Sequence, residues 1–142
     1  MPRYFTLDEA RRHLPAVESS IREGIEAKKK LTVAEGEHSA MMERIMLSGG
    51  MNVDQAVVSR TRDSRDASSA TLKKTFETFE QLGILVKDLD IGLIDFPALY
   101  RGKEVYLCWR LGESDIGYWH PVDEGFAGRR AIDADFIRDL SA

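Results

Sequence analysis

The sequence predicts an α+β protein with a long N-terminal antiparallel helical hairpin, a small antiparallel β-meander and a short C-terminal helix. Apolar residues recur every three or four positions through most of residues 1–83, which is the period of a buried helix face. After Gly83 the pattern changes to short apolar runs separated by turn residues, which is typical of strands. We expect one domain over residues 1–142, because a chain of this length can bury one core.

The first helix is predicted to begin at Thr6, because Glu9 follows three residues later and completes a capping box. Pro15 removes one backbone hydrogen bond and predicts a kink or short break near Arg12. The sequence Ser-Gly-Gly at 48–50 is expected to end this helix. The apolar stripe of the helix consists of Leu7, Ala10, Leu14, Val17, Ile21, Ile25, Met41, Met42 and Ile45.

The second arm of the hairpin begins in our prediction at Asn52, which can cap a helix. Residues 59–69, with the sequence SRTRDSRDASS, contain almost no apolar side chain. They fit a solvated helix or a loop, and we favour a weakly ordered polar link between helical pieces. Helical spacing returns after Ala70, and Gly83 is a natural stop.

The β-rich half, residues 84–142, is predicted to contain strands at 84–86, 93–99, 104–111 and 116–122. Pro97 confines the second strand to an edge or a bulge, because proline cannot donate to the ladder. The residues Arg-Gly-Lys at 101–103 form a hairpin turn. Asp133 is expected to cap the final helix.

Composition excludes several classes of function. The net charge of −4, from 20 basic and 24 acidic residues, gives no electrostatic attraction to nucleic acid. There is no run of 18 apolar residues, so no membrane span is expected. The single cysteine, Cys108, cannot form an internal disulfide, and its apolar strand favours a buried inert thiol. A cytoplasmic location is the simplest expectation.

Three segments resemble a family of small bacterial proteins of unknown function, domain of unknown function 2203. They read FTLDEARRHLP, LGILVKDLDIGLIDFPALYRGKEVYLCWRLGE and IGYWHPVDEGFAGRR, in this order along the chain. The resemblance implies a helical hairpin joined to a β-rich C-terminal half. It implies no activity, because the family is uncharacterised.

The face of the sheet that carries His120 depends on the turn after the third strand. A two-residue tip at 113–114 would pair Trp109 with Tyr118 and Leu107 with His120. His120 would then share a face with Leu107 and Trp109. A three-residue tip would shift the register and swap the faces of one strand.

Two polar groups could form a site in this half. Asp95, His120 and Asp123 offer imidazole and carboxylate ligands for a divalent metal. The alternative is that His120 makes a hydrogen bond to a carboxylate or carbonyl and closes the end of the sheet.

The second group surrounds the glycine-rich loop at 124–130, where Arg110, Arg129 and Arg130 could bind a small anion. The alternative is a packed loop in which Phe126 fills the core and Arg129 pairs with Asp123 or Asp95.

No catalytic motif is complete, so a non-enzymatic interaction or adaptor protein is the first functional hypothesis. The apolar stripe extends far along the first helix and predicts a homodimer through the hairpin, with a further protein partner. The alternative is a metal- or small-anion-binding protein, or an enzyme, with a site around His120 and Asp123.

Overall fold

The computed structural model describes residues 3–50 and 54–141 and has the predicted α+β architecture. Helix α1 spans Leu7–Leu47 and packs against helix α2, Gln55–Leu82. The chain forms two compact units, residues 23–75 and the remaining residues 1–22 with 76–142. A single domain over the whole chain stays a prediction.

Helix α1 begins as the sequence predicts. The hydroxyl oxygen of Thr6 accepts the Glu9 backbone N–H at 3.1 Å, and the same hydroxyl donates to Glu9 Oε1 at 3.1 Å. The helix then continues through Pro15, so the short break considered near Arg12 does not form. Burial of the apolar stripe around Pro15 offsets the one hydrogen bond that proline removes.

The polar segment 59–69 lies inside the continuous helix α2, so the predicted weakly ordered link is wrong. Thr61 and Ser68 are buried although they are polar, and their spacing of seven places them on the same face. The predicted cap Asn52 lies outside the described residues. Asp54 Oδ1 accepts the backbone N–H groups two and three residues later, at 3.0 and 3.3 Å, and caps the helix.

The strands of the described residues are β1 Leu85–Asp88, β2 Leu93–Tyr100, β3 Lys103–Arg110, β4 Tyr118–Pro121, β5 Arg130–Ala131 and β6 Leu140–Ser141. They form one antiparallel sheet in the order β1-β2-β3-β4-β5, with β6 paired to the other end of β2. The turn between β2 and β3 has two residues, Arg101 and Gly102, with φ values of +52° and +76°. Positive φ at both positions is the geometry of a type I′ hairpin turn.

Pro97 does not place β2 at an edge, because β2 pairs with β3 along its whole length and with β1 and β6 on its other side. The Pro97 carbonyl accepts the Phe5 backbone N–H at 2.7 Å, in the gap between β1 and β6. The nitrogen of a strand residue points to the same side as its carbonyl. The missing N–H therefore faces this gap and costs no bond to β3.

The register between β3 and β4 differs from the prediction by one residue. Tyr118 pairs with Cys108 and His120 pairs with Tyr106, so His120 lies on the face opposite Leu107 and Trp109. The connection between β3 and β4 is longer than a two-residue tip. Within it, Glu113 binds back to the end of β3. Its carboxylate accepts the Arg110 N–H at 2.7 Å, and its carbonyl accepts the indole N–H of Trp109 at 3.0 Å.

The two faces of the sheet have different roles. The face with Ile94, Phe96, Leu107 and Trp109 is buried core, and Phe5 packs its ring edge against Phe96. Helix α3, Ala134–Asp139, adds Phe136 to the core, and its cap is Asp133 as predicted. No helix in the described part of the chain is long and apolar enough to cross a bilayer.

Candidate functional site

Three metal-ligating side chains meet on the second face of the sheet. Asp95 on β2, Cys108 on β3 and His120 on β4 each offer one ligand atom, and these atoms all lie within 4.8 Å of one another. The register of the strands explains why these side chains meet. Asp95 pairs with Cys108. His120 pairs with Tyr106, which lies two residues before Cys108 and therefore on the same face of β3. All three side chains are buried.

The imidazole of His120 is held at both nitrogens. Nδ1 lies 2.8 Å from the carbonyl oxygen of Pro121, and Nε2 lies 3.0 Å from Oδ2 of Asp95. A carbonyl oxygen can only accept, so Nδ1 carries a proton and Nε2 faces Asp95. A hydrogen bond between Nε2 and Oδ2 needs a proton between the two atoms, carried by the imidazole or by the carboxylate.

Burial leaves this cluster incompletely satisfied. Oδ1 of Asp95 has no hydrogen-bond partner among the residues that the structure describes, although the side chain is only 1% exposed. Burial raises the pKa of the Cys108 thiol to about 12, and the charge of Asp95 and a hydrogen bond with the Asp95 side chain add to this increase. A buried carboxylate is costly unless it is paired, so the imidazole of His120 and the thiol of Cys108 stabilise Asp95 in this position.

A cavity of about 400 Å³ opens beside the cluster. Asp95 and His120 form part of its wall, whereas Cys108 is fully buried and does not line it. Burial raises the pKa of Tyr106, whose ring meets the His120 ring edge to face at 5.5 Å. The other lining residues are Lys87, Leu93, Val122, Asp123, Glu124, Gly125 and Phe126.

The structure brings together two of the three predicted metal ligands. Asp95 and His120 are in contact, but Asp123 is exposed at the cavity wall and does not belong to the cluster. Cys108 was not among the predicted ligands; its burial is as predicted, but its thiol lies in the same cluster as Asp95 and His120. A two-residue turn at 101–102 would have revealed it, because that turn places Asp95 directly opposite Cys108.

The three arginines do not converge on one anion site. Arg129 is 11% exposed and binds Glu113, with Nη2 lying 2.7 and 2.8 Å from the two carboxylate oxygens. Arg130 binds Glu124 at 2.9 Å and lies over the Trp119 ring on the other face. Both guanidinium groups already hold a carboxylate, although Nε of Arg129 is buried and has no hydrogen-bond partner among the described residues.

The loop that carries these arginines is built differently from the packed loop considered above. Phe126 is 41% exposed and does not fill the core. Its ring lies under the guanidinium of Arg129 at 4.8 Å and near that of Arg110 at 5.9 Å. Tyr118 covers Arg129 from the other side at 4.0 Å. The loop therefore attaches to the sheet through aromatic–guanidinium contacts.

Comparison with known proteins identifies the family of this protein. A family model described as "Uncharacterized conserved protein (DUF2203)" matches residues 3–132. The chain belongs to this family. A search of curated proteins and a search of solved structures each found no match.

Proposed function

We propose that this protein binds a divalent transition metal of the zinc type through Asp95, Cys108 and His120. The observation that carries the proposal is the meeting of three buried ligand atoms within 4.8 Å. Zinc takes nitrogen, oxygen and thiolate ligands at about 2.0–2.3 Å, so tetrahedral ligands lie roughly 3.3–3.6 Å apart. Small side-chain adjustments bring these three atoms to that spacing.

The contacts of His120 support this assignment. Metal-bound histidine usually donates its other N–H to a carbonyl or carboxylate, which fixes the tautomer. Nδ1 of His120 makes this contact with Pro121, so Nε2 is the nitrogen available to a metal. The metal would replace the proton between His120 and Asp95 and would take the thiolate of Cys108.

Zinc titration of the metal-free protein against a chromogenic chelator tests the proposal. We expect one ion per chain, and we expect Cys108→Ser and His120→Ala each to weaken binding by at least about 100-fold. His38→Ala, which changes a histidine on helix α1, is the matched control and should bind as the wild type does. Equal binding by all four proteins, or none by the wild type, would refute the proposal.

A second candidate function, self-association through the hairpin, rests on a different observation. Within residues 23–75 buried side chains recur every seven residues, at Ala27, Ala34 and Met41 and again at Thr61, Ser68 and Thr75, and Gly24 is also buried. This is the repeat of a coiled-coil seam. The seam is filled mainly by small and polar side chains, so we propose that two hairpins pair to bury more apolar surface.

The surface of the hairpin supports a second copy as the occupant. Two adjoining grooves of about 460 and 310 Å³ share Glu26, Lys30 and Ser64 in their walls. Val33 lines the smaller groove and is 60% exposed. In an antiparallel pair Glu26 of each copy can face Lys30 of the other, so the charges are self-complementary.

Sedimentation equilibrium distinguishes this candidate from a monomer. The wild type should be a dimer at micromolar concentration, and Val33→Glu should shift it to a monomer, because the charge would be buried. Ser39→Glu, at an exposed position of α1 that lines neither groove, should remain a dimer. A monomeric wild type would exclude this function and leave the metal proposal unaffected.

A further inference from the structure

We infer that the metal keeps one coordination position open toward the cavity and binds a small oxygen-donor ligand there, with water as the resting ligand. This inference rests on the proposed metal site and gives that site a reactive role rather than a structural one. A water on such a zinc has its pKa lowered to about 7 and becomes a nucleophile for hydrolysis.

The number of ligands supports an open position. Structural zinc sites have four protein ligands, whereas catalytic sites have three and leave the fourth position to water or substrate. Among the described residues, the cluster contains Asp95, Cys108 and His120 and no fourth histidine, cysteine or carboxylate within the same distance. Asp123, the nearest candidate by sequence, is exposed and outside the group.

Access to the site supports the same conclusion. Cys108 has no exposed surface and does not line the cavity, whereas Asp95 and His120 do. A metal bound between the three atoms therefore faces the cavity on its carboxylate and imidazole side. The volume of about 400 Å³ admits a small organic molecule as well as water.

The cavity wall indicates which donors fit. Two anionic ligands, the Asp95 carboxylate and the Cys108 thiolate, would neutralise a divalent ion. Lys87 then supplies a positive charge at the wall, with its ammonium 4.6 Å from the centre of the Tyr106 ring. A carboxylate or hydroxamate oxygen on the metal can lie near this ammonium. The wall also contains the carboxylates of Asp123 and Glu124 and is apolar at Val122 and Phe126.

Cobalt substitution tests the inference with a spectroscopic readout. Co²⁺ added to metal-free wild-type protein should give thiolate charge-transfer absorption and intense visible bands of a four-coordinate ion. Azide and acetohydroxamate should then change the visible bands with saturation, because each replaces the bound water. His120→Ala should give neither spectrum.

A cavity-filling variant tests the direction of access. Val122→Trp places a large ring at the cavity wall, away from the three ligands. It should bind Co²⁺ as the wild type does, but its affinity for acetohydroxamate should fall by at least about tenfold, since the ring occupies the ligand's space.

The outcomes of these experiments distinguish the open coordination position from the metal site itself. Thiolate absorption with visible bands that neither azide nor acetohydroxamate changes would overturn the open position and leave the metal site intact. Absence of any cobalt spectrum would overturn the metal site and this inference together. Equal acetohydroxamate affinity in Val122→Trp and the wild type would show that the ligand does not enter through the cavity.

Discussion

Glu113, in the connection between β3 and β4, binds Arg129, which directly precedes β5: Nη2 of Arg129 lies 2.7 Å from one carboxylate oxygen and 2.8 Å from the other. The same carboxylate accepts the Arg110 backbone N–H at 2.7 Å. One side chain therefore fixes the end of β3, the connection to β4 and the loop beside the cavity.

We predict that Glu113→Ala lowers the free energy of unfolding by about 2 kcal/mol, because it leaves a largely buried guanidinium and a backbone N–H without their acceptor. The measurement is urea denaturation followed by circular dichroism. Glu124→Ala is the matched control: its partner Arg130 is 52% exposed, so the loss should be at most about 1 kcal/mol. Equal losses in the two variants would contradict this role for Glu113.

Gly92 provides a second test of the packing. Its φ is +66°, and a Cβ placed there would lie 2.5 Å from Cβ of Leu111 and 3.2 Å from Cγ2 of Ile21. We predict that Gly92→Ala costs about 3 kcal/mol, from the backbone strain and the clash together.

Gly102→Ala is the control for Gly92→Ala. Gly102 also has a positive φ, +76°, but a Cβ placed there would meet no atom within 4 Å among the described residues beyond its chain neighbours. The strain alone should cost about 1 kcal/mol. If both variants unfold at the same urea concentration, the close approach of Leu111 to Gly92 is not present in solution.

The buried thiol makes stability depend on pH. Burial raises the pKa of Cys108 to about 12, whereas an unfolded thiol has a pKa of about 8.5. Between these values the unfolded chain releases a proton that the folded protein keeps. The stabilisation is therefore complete below the unfolded pKa and is lost as pH rises toward the folded pKa, by about 1.4 kcal/mol per unit.

We predict that wild-type protein in chelator loses about 2 kcal/mol more stability between pH 8 and pH 10 than Cys108→Ala does, because only the wild type carries the thiol. The measurement is urea denaturation of both proteins at each pH. Parallel losses in the two proteins would mean that the thiol is already accessible to solvent in the folded state.

Replacement of the Asp95–His120 pair separates a structural role from a binding role. A buried polar pair can often be replaced by apolar residues with little loss, whereas removal of one partner costs about 3–5 kcal/mol. We predict that His120→Leu is destabilised by this amount, and that Asp95→Val with His120→Leu lies within about 1 kcal/mol of the wild type. A double variant less stable than the single one would indicate that the pair is kept for stability.

The helical half of the fold was predictable where apolar periodicity and capping chemistry agreed. Thr6 and Glu9 located the start of α1 because a capping box is a local device. The segment 59–69 was mispredicted because its buried face consists of Thr61 and Ser68, and apolar periodicity does not detect buried hydroxyl residues.

The site was only partly predictable. Asp95 and His120 were among the predicted ligands because carboxylate and imidazole residues are recognisable as types, and the structure brings them into contact across β3. The face of His120 was mispredicted, and with it the approach of His120 to Cys108, because the register between β3 and β4 depends on a connection in which Glu113 binds Arg110 and Trp109. A register shift of one residue moves every side chain of a strand to the opposite face. Short-range patterns do not contain that information.

Elemental analysis of protein purified without a metal-affinity tag tests the central claim most directly. The wild type, Cys108→Ser and His120→Ala are loaded with zinc, passed over a desalting column and measured by mass spectrometry. We predict about one zinc ion per wild-type chain and a small residual fraction in each variant. Metal-free wild-type protein after loading, or equal zinc in all three, would contradict the proposed metal site.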